Sequence, residues 1–163
     1  RITELLYNNK VCFFHIRKPS FSENQMRDYL SFFPMDIRER LSLNSFHLLA
    51  KQMNIGGIHL NKSNPKVEEG LQEKRISMSC HSIKEVIENK DKVSYLFLSP
   101  IFDSISKQGY QSNFSLQELK ELFFQGILND KVVALSGVTY KNIPQLEEVG
   151  FSSFAMLSEL WKR

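Results

Sequence analysis

Short apolar runs alternate with amphipathic stretches from one end of this chain to the other, and that alternation restricts the fold more than any other feature. The runs at 11–17 (VCFFHIR), 40–44 (RLSLN), 56–60 (GGIHL), 76–81 (ISMSCH), 95–100 (YLFLSP), 131–137 (KVVALSG) and 152–158 (SSFAMLS) read as seven strands. Between them lie helical patterns. One covers about 22–33, with Met26, Tyr29, Leu30 and Phe33 on one face. FHLLAKQM (46–53) is a second, and SIKEVIENK (82–90) a third, with Ser82 as N-cap and Glu85 at the capping-box position. SLQELKELFFQGIL (115–128) starts at Ser115 with Glu118 three residues on, and NIPQLEEVG (142–150) closes on Gly150. PKVEEGLQEK (65–74) reads as a short helix or a loop.

Strands that alternate with helices imply right-handed crossovers and a parallel sheet. Two α/β architectures suit seven strands: an open doubly wound sheet, and a (β/α)8 barrel with one strand absent. The chain opens on an amphipathic helix, ITELLYNN, that feeds a strand. A first strand is therefore expected before Arg1. No Gly-rich dinucleotide or P-loop fingerprint follows any strand, which weighs against the open sheet. No linker or low-complexity segment interrupts the series, so residues 1–163 are expected to form one domain.

Composition narrows the function classes. Hydrophobic residues make up 42% and charged residues 24%, ordinary values for a globular chain. No apolar run approaches the roughly 20 residues of a membrane span, and the first residues lack a cleavage-site pattern. With only Cys12 and Cys80, no disulfide framework is expected and a cytoplasmic setting is the default. The net charge of +3 is too small to imply nucleic acid.

In parallel α/β folds, ligands sit at the C-terminal ends of the strands. Those ends carry His15, Arg17 and Lys18; Asn44 and Ser45; His59, Asn61, Lys62 and Asn64; Ser79 and His81; Ser99 and the loop to Lys107; Ser136, Gly137 and Thr139; and Ser158. Asp103 is the one obvious carboxylate among them. Such a set of hydroxyls, amides and cations suits an anion. A phosphate held by the last two strand ends would use backbone N–H groups at Ser136-Gly137 and the Ser158 hydroxyl.

These residues resemble the thiamin phosphate synthase/TenI family along essentially the whole chain. FFHIRKP resembles its first-strand arginine motif, and LSLNSFHLLAKQMNIGGIHL its IND…GADGVHL block. ISMSCHS resembles GxSxHS, and YLFLSPIFDSISKQGY resembles DYxxxGPxFxTxTKxG. VVALSGVTYKNIPQLEEVGFSSFAML resembles PVVAIGGIxxxNIxxVxxAGAxGVAVxS. The resemblance implies a (β/α)8 barrel. It also implies thiamin biosynthesis, in which hydroxymethylpyrimidine diphosphate condenses with thiazole phosphate to give thiamin phosphate and pyrophosphate. Arg17, His15, Lys18, Ser104, Ser106 and Lys107 then face the diphosphate, Ser79 the pyrophosphate region, and Ser136, Gly137 and Ser158 the thiazole phosphate. A homodimer is a further expectation of the family.

The family's Mg²⁺ aspartates fall on Ser45 and Asn64, which are neutral. The metal site therefore reads as lost while the phosphate positions persist. That pattern favours a TenI-like, metal-independent tautomerisation of a thiazole phosphate with His81 as the base, since imidazole suits proton transfer at neutral pH. A synthase, or a non-catalytic protein that binds thiamin phosphate, is the alternative. Other residues read as structural: His59 as hydrogen-bonded, His47 as a helix residue, Cys12 as core, and Phe13, Phe14, Phe123 and Phe124 as packing. Cys80 and His81, adjacent on a strand, point to opposite faces and do not form a zinc pair.

Overall fold

Apolar periodicity becomes helix where a cap starts it and strand where alternation meets a neighbour. The computed structural model describes residues 1–8, 10–103, 112 and 114–161. The chain divides into two units, Arg1–Ser77 and Met78–Arg163. In the first, the elements run α1 (Ile2–Tyr7), β1 (Phe14–Ile16), α2 (Glu23–Ser31), α3 (Met35–Arg38), β2 (Leu41–Leu43), α4 (Leu48–Gln52) and β3 (Gly57–Leu60). β4 (Arg75–Cys80) begins in this unit and ends in the second. The second continues with α5 (Ile83–Asn89), β5 (Tyr95–Leu98), α6 (Leu116–Phe124), β6 (Val132–Leu135), α7 (Ile143–Val149), β7 (Phe154–Ala155) and α8 (Ser158–Trp161). No described helix is long and apolar enough to cross a membrane.

In the first unit β1 pairs in parallel with β2 and β2 with β3, with His15 beside Ser42 and Ser42 beside Gly57. Side chains alternate along each strand, so this register sorts them onto two faces. One face carries Leu41, Leu43 and Ile58, all fully buried, as are Leu6, Met26, Leu30 and Leu49 of the helices. Each such side chain stabilises the fold by about 1.5–3 kcal/mol through burial. The other face is polar, carrying His15, Ser42, His59, Arg75 and Ser77. Gly57 belongs to it because a Cβ there would come within 2.4 Å of Ser42 Oγ and 2.9 Å of the Arg75 carbonyl.

Three arginines tie the loops of this unit to their own backbone. Arg40 donates from Nε to Cys12 O at 2.9 Å and from Nη1 to Leu6 O at 2.6 Å. Arg38 donates from Nε to Phe33 O at 2.8 Å, and Arg75 from Nη1 to Glu39 O and from Nη2 to Leu41 O, both at 3.0 Å. The Arg75 guanidinium also lies 3.7 Å from the centroid of Phe13.

In the second unit β5 pairs in parallel with β6, and β6 with β7. Leu96, Leu98, Val132 and Ala134 form the fully buried face, and Leu119 of α6 and Leu146 of α7 are buried equally. α6 begins with the reciprocal cap that the sequence predicts: Ser115 Oγ accepts from Glu118 N, and Glu118 Oε2 accepts from Ser115 N. α2 carries the same device at Ser22 and Gln25.

Several expectations are corrected. The first strand spans only Phe14–Ile16, so Cys12 is exposed rather than in the core. Phe13 is 43% exposed over Arg75, and Phe124 is 93% exposed, pointing away from the face that buries Leu119. Phe123 does pack, edge-on to Phe151 at 4.8 Å. The last strand stops at Ala155, and Ser158 is the first residue of α8 rather than the end of a strand. Residues 65–74 form turns, the loop alternative left open for them, and α3 is an element that the periodicity did not predict.

Replacing Ser115 with alanine removes one half of the α6 cap. The expected loss is about 1 kcal/mol of stability, read from urea unfolding; an unchanged midpoint would show that the cap is not stabilising α6.

Candidate functional site

The polar groups at the strand ends make several local sets within each unit. In the first, His59 Nδ1 lies 2.9 Å from Ser77 Oγ, and Ser77 Oγ donates to Ile58 O at 3.2 Å. Because the hydroxyl proton goes to that carbonyl, Ser77 accepts from His59, and His59 carries its proton on Nδ1. His47 Nε2 donates to His59 O at 3.1 Å. The His15 ring stands edge-on to His59 with centroids 5.2 Å apart.

Burial, with His59 and Arg75 nearby, pushes His15 down to about 3. Burial, with His47 nearby, pushes His59 down to about 4. Both rings are therefore neutral at pH 7, and His15 offers hydrogen bonds rather than charge.

Past β1, Arg17 is exposed, whereas Lys18 Nζ sits 5.0 Å from the Tyr29 ring centroid and 5.5 Å from that of Phe21. Two aromatic faces thus hold the lysine through cation–π attraction. Past β2 and β3, Asn61 Nδ2 and Asn64 Nδ2 both donate to Asn44 O, at 2.9 and 3.2 Å. Asn64 N donates to Asn61 Oδ1 at 3.1 Å. Ser45 is half-buried beside them. Asn44 Oδ1 is buried and has no hydrogen-bond partner among the described residues. No group of three or more His, Cys, Asp or Glu that could hold a metal occurs among those residues.

In the second unit His81 immediately precedes the Ser82 cap of α5. Its backbone N donates to Glu85 Oε2 at 2.6 Å, so Glu85 serves His81 rather than completing the capping box predicted at Ser82. The His81 Nδ1 atom lies 3.0 Å from Ser99 O and 3.2 Å from Ser99 Oγ. Ser79 is half-buried on the same face of β4 as His81. Cys80, on the opposite face, is buried, and that burial pushes its thiol up to about 11.

After β5, Ser112 Oγ donates to Ile101 O at 2.7 Å, and Ser112 N donates to Asp103 Oδ1 at 2.8 Å. Asp103 is thus engaged by the Ser112 backbone. Ser104, Ser106 and Lys107 lie outside the described residues.

Past β6 the backbone turns through Ser136 at φ 78 and Gly137 at φ 68. A Cβ on Gly137 would meet Phe102 Cβ at 2.5 Å and Asp103 O at 2.7 Å, so close approach of that loop requires glycine. Ser136 has no such freedom, and a left-handed serine costs about 1–2 kcal/mol. Its Oγ donates to Phe102 O at 3.4 Å. Asn142 braces the turn, donating from Nδ2 to Gly137 O at 2.9 Å and accepting from Thr139 N at 2.8 Å. The Gly137 N–H makes no hydrogen bond among the described residues. Ser158 follows β7, the parallel neighbour of β6.

Sequence reasoning brought out most of these positions but passed over Ser77 and the three tethering arginines. A polar residue on the same strand face as His81 was the available signal for Ser77. Nothing local distinguished Arg38, Arg40 or Arg75 from surface cations.

The family described as thiamine monophosphate synthase matches residues 2–160. The thiamine-phosphate synthase of Latilactobacillus sakei is 29% identical over 133 residues, which cover 78% of this chain and 56% of that protein. That of Helicobacter pylori is 31% identical over 108 residues, covering 63% of this chain and 48% of that protein. The chain thus spans about half the length of these curated relatives. The solved thiamine phosphate pyrophosphorylase from Bacteroides thetaiotaomicron superposes with a TM-score of 0.84 at 31% identity, covering 98% of this chain and 76% of that one. The enzyme of the same name from Pyrococcus furiosus superposes at 0.68 with 17% identity, over 88% and 71% of the two chains. The second likeness speaks for the fold alone.

Two outcomes follow from the site geometry. Ser136→Gly relieves about 1–2 kcal/mol of left-handed strain and adds about 0.5–1 kcal/mol of unfolded-chain entropy. A net gain in stability, read as a higher urea midpoint, is expected; a loss would refute the strain. His15 and His59 resist protonation when folded, whereas the unfolded chain takes up protons near 6.5. Stability is therefore highest above pH 6.5, falls as the pH drops towards about 3, and falls no further on their account below it. His15→Gln should flatten that slope in urea titrations between neutral pH and about 4; an unaltered slope would contradict it.

Proposed function

Because this chain belongs to the thiamine monophosphate synthase/TenI family, with the α/β fold of the (β/α)8 barrel class, we propose that it acts on a thiazole phosphate in thiamin biosynthesis. We further infer that it does so by metal-independent proton transfer, with His81 as the base. The His81–Ser99 geometry carries this reading. A histidine whose Nδ1 is held by a backbone carbonyl, with Nε2 outside any described hydrogen bond, is arranged as an oriented general base.

The oxygens at the family's metal positions support the metal-free form. Mg²⁺ favours hard, anionic oxygens in octahedral geometry, usually with one or two carboxylates. Ser45 and Asn64 are neutral; Asn64 Nδ2 donates to Asn44 O, and the Asn64 backbone N donates to Asn61 Oδ1. These residues fit the ion poorly, so no step is assigned to it.

A phosphate is the natural occupant beside Gly137. Its N–H is available among the described residues, and its carbonyl is already bound by Asn142. Fixed N–H donors stabilise an anion without reorganising. Ser158, at the exit of the neighbouring strand, would add a hydroxyl. Arg17, exposed past β1, and Lys107, in the segment after β5, would supply cations. Ser79 would supply a second hydroxyl near His81.

The names of the relatives favour a second reading, condensation to thiamin phosphate with release of pyrophosphate. Paired assays with and without EDTA separate the two. The proposed reading expects tautomerisation of the thiazole carboxylate phosphate that EDTA leaves unchanged and His81→Ala lowers by about 10²–10⁴-fold. Pyrophosphate release that requires Mg²⁺ would overturn it in favour of the synthase. Binding of thiamin phosphate without either turnover would establish a non-catalytic protein.

A further inference from the structure

We propose that Ser99 is a positioning residue for His81, holding its ring as the Nδ1–H tautomer so that Nε2 is presented as the proton acceptor. The proposal rests on the reading of His81 as a base. It deepens that reading by naming what sets the base's protonation pattern.

The contact spans two strand ends of the second unit. Ser99 follows β5, and its backbone N donates to Cys80 O at 3.1 Å, which pins Ser99 beside the end of β4. His81 is the next residue after that carbonyl. Its own backbone N is held by Glu85 Oε2, and Glu85 N donates in turn to Ser82 Oγ at 3.2 Å. Both main chains are therefore fixed before either side chain is considered.

The ring then meets one residue twice through a single nitrogen. Ser99 O, 3.0 Å from Nδ1, can only accept, so this contact requires the proton on Nδ1. Ser99 Oγ, at 3.2 Å, can donate or accept. With the carbonyl deciding the matter, the hydroxyl shares the same proton as a second acceptor. Ser99 is 6% exposed, so its hydroxyl has little water with which to exchange that role. No described residue hydrogen-bonds Nε2, and His81 is an exposed residue.

The hydroxyl is a feature of this chain. The motif that SPIFDSISKQG resembles carries glycine at the position of Ser99, where only the carbonyl could act. Serine adds a second contact to the same nitrogen, and so resists rotation of the ring away from the carbonyl.

The test reads the tautomer directly. In ¹⁵N-labelled protein above neutral pH, long-range ¹H–¹⁵N spectra are expected to show His81 with Nδ1 protonated and Nε2 bare. Ser99→Ala keeps the carbonyl but lets the ring rotate away from it, so it should shift the pattern towards a mixture of tautomers, and Ser99→Thr, which keeps the hydroxyl, should restore it. In the tautomerisation assay, Ser99→Ala should lower kcat by about tenfold, with KM unchanged. Should Ser99→Ala fail to fold, Ser99→Gly removes the same hydroxyl. A protonated Nε2 in the parent protein, or a spectrum unmoved by loss of the hydroxyl, would overturn the proposal. Because the spectra need no turnover, activity that survives His81→Ala would reject His81 as the base while leaving the tautomer assignment standing.

Discussion

Parallel pairing between strands adjacent in the sequence is the constraint from which the rest of each unit follows. β1 with β2 and β2 with β3, then β5 with β6 and β6 with β7, all run the same way. Parallel neighbours must be joined by crossovers, so within each unit these paired strands leave the sheet at the same end and the chain returns through a helix before the next one. The polar exits at 15–18, 44–45 and 61–64 in the first unit, and at 81, 99, 136–137 and 158 in the second, are therefore gathered by topology. Their spacing along the chain plays no part.

The same register divides each strand into an aliphatic and a polar side. On the polar side of the first unit, hydrogen bonds close on one another: His59 with Ser77, His47 with the His59 carbonyl, and Arg75 with Ser42. Buried polar groups cost free energy unless paired, and these pairs remove most of that cost. The histidines obtain neutrality from the same burial, which is why His15 and His59 titrate far below the usual imidazole range. Arg38, Arg40 and Arg75 act differently. Each directs a rigid fork of donors at carbonyls of loops that lack a regular ladder, and charge-assisted bonds of this kind are worth more than neutral ones.

How legible the molecule was depends on how local each feature is. The α6 cap was legible because Ser115 and Glu118 are three residues apart and their hydrogen bonds lie within one turn. The cap at Ser82 was half legible: Ser82 does cap, but Glu85 is drawn to the His81 backbone instead. α3 was missed because four residues contain too little periodicity to show a face. Cys12 and Ser158 were misplaced for one reason. An apolar run sets the longest strand possible, whereas the neighbouring strand sets how much of it pairs, and β1 and β7 pair over only three and two residues.

The sequence by itself determined the alternation of elements, hence the parallel α/β class, and the chemical types of residue at each strand exit. Those follow from periodicity and sterics, which act over a few residues. The tertiary structure alone decided what each exit residue does. His59 meets Ser77, and His81 meets Ser99, across 18 residues of chain in both cases. Lys18 lies against two rings of its own unit, and Ser136 is forced into a left-handed turn beside Phe102. Such pairings depend on register between strands, and register is fixed by the packing of whole faces rather than by any short stretch of sequence.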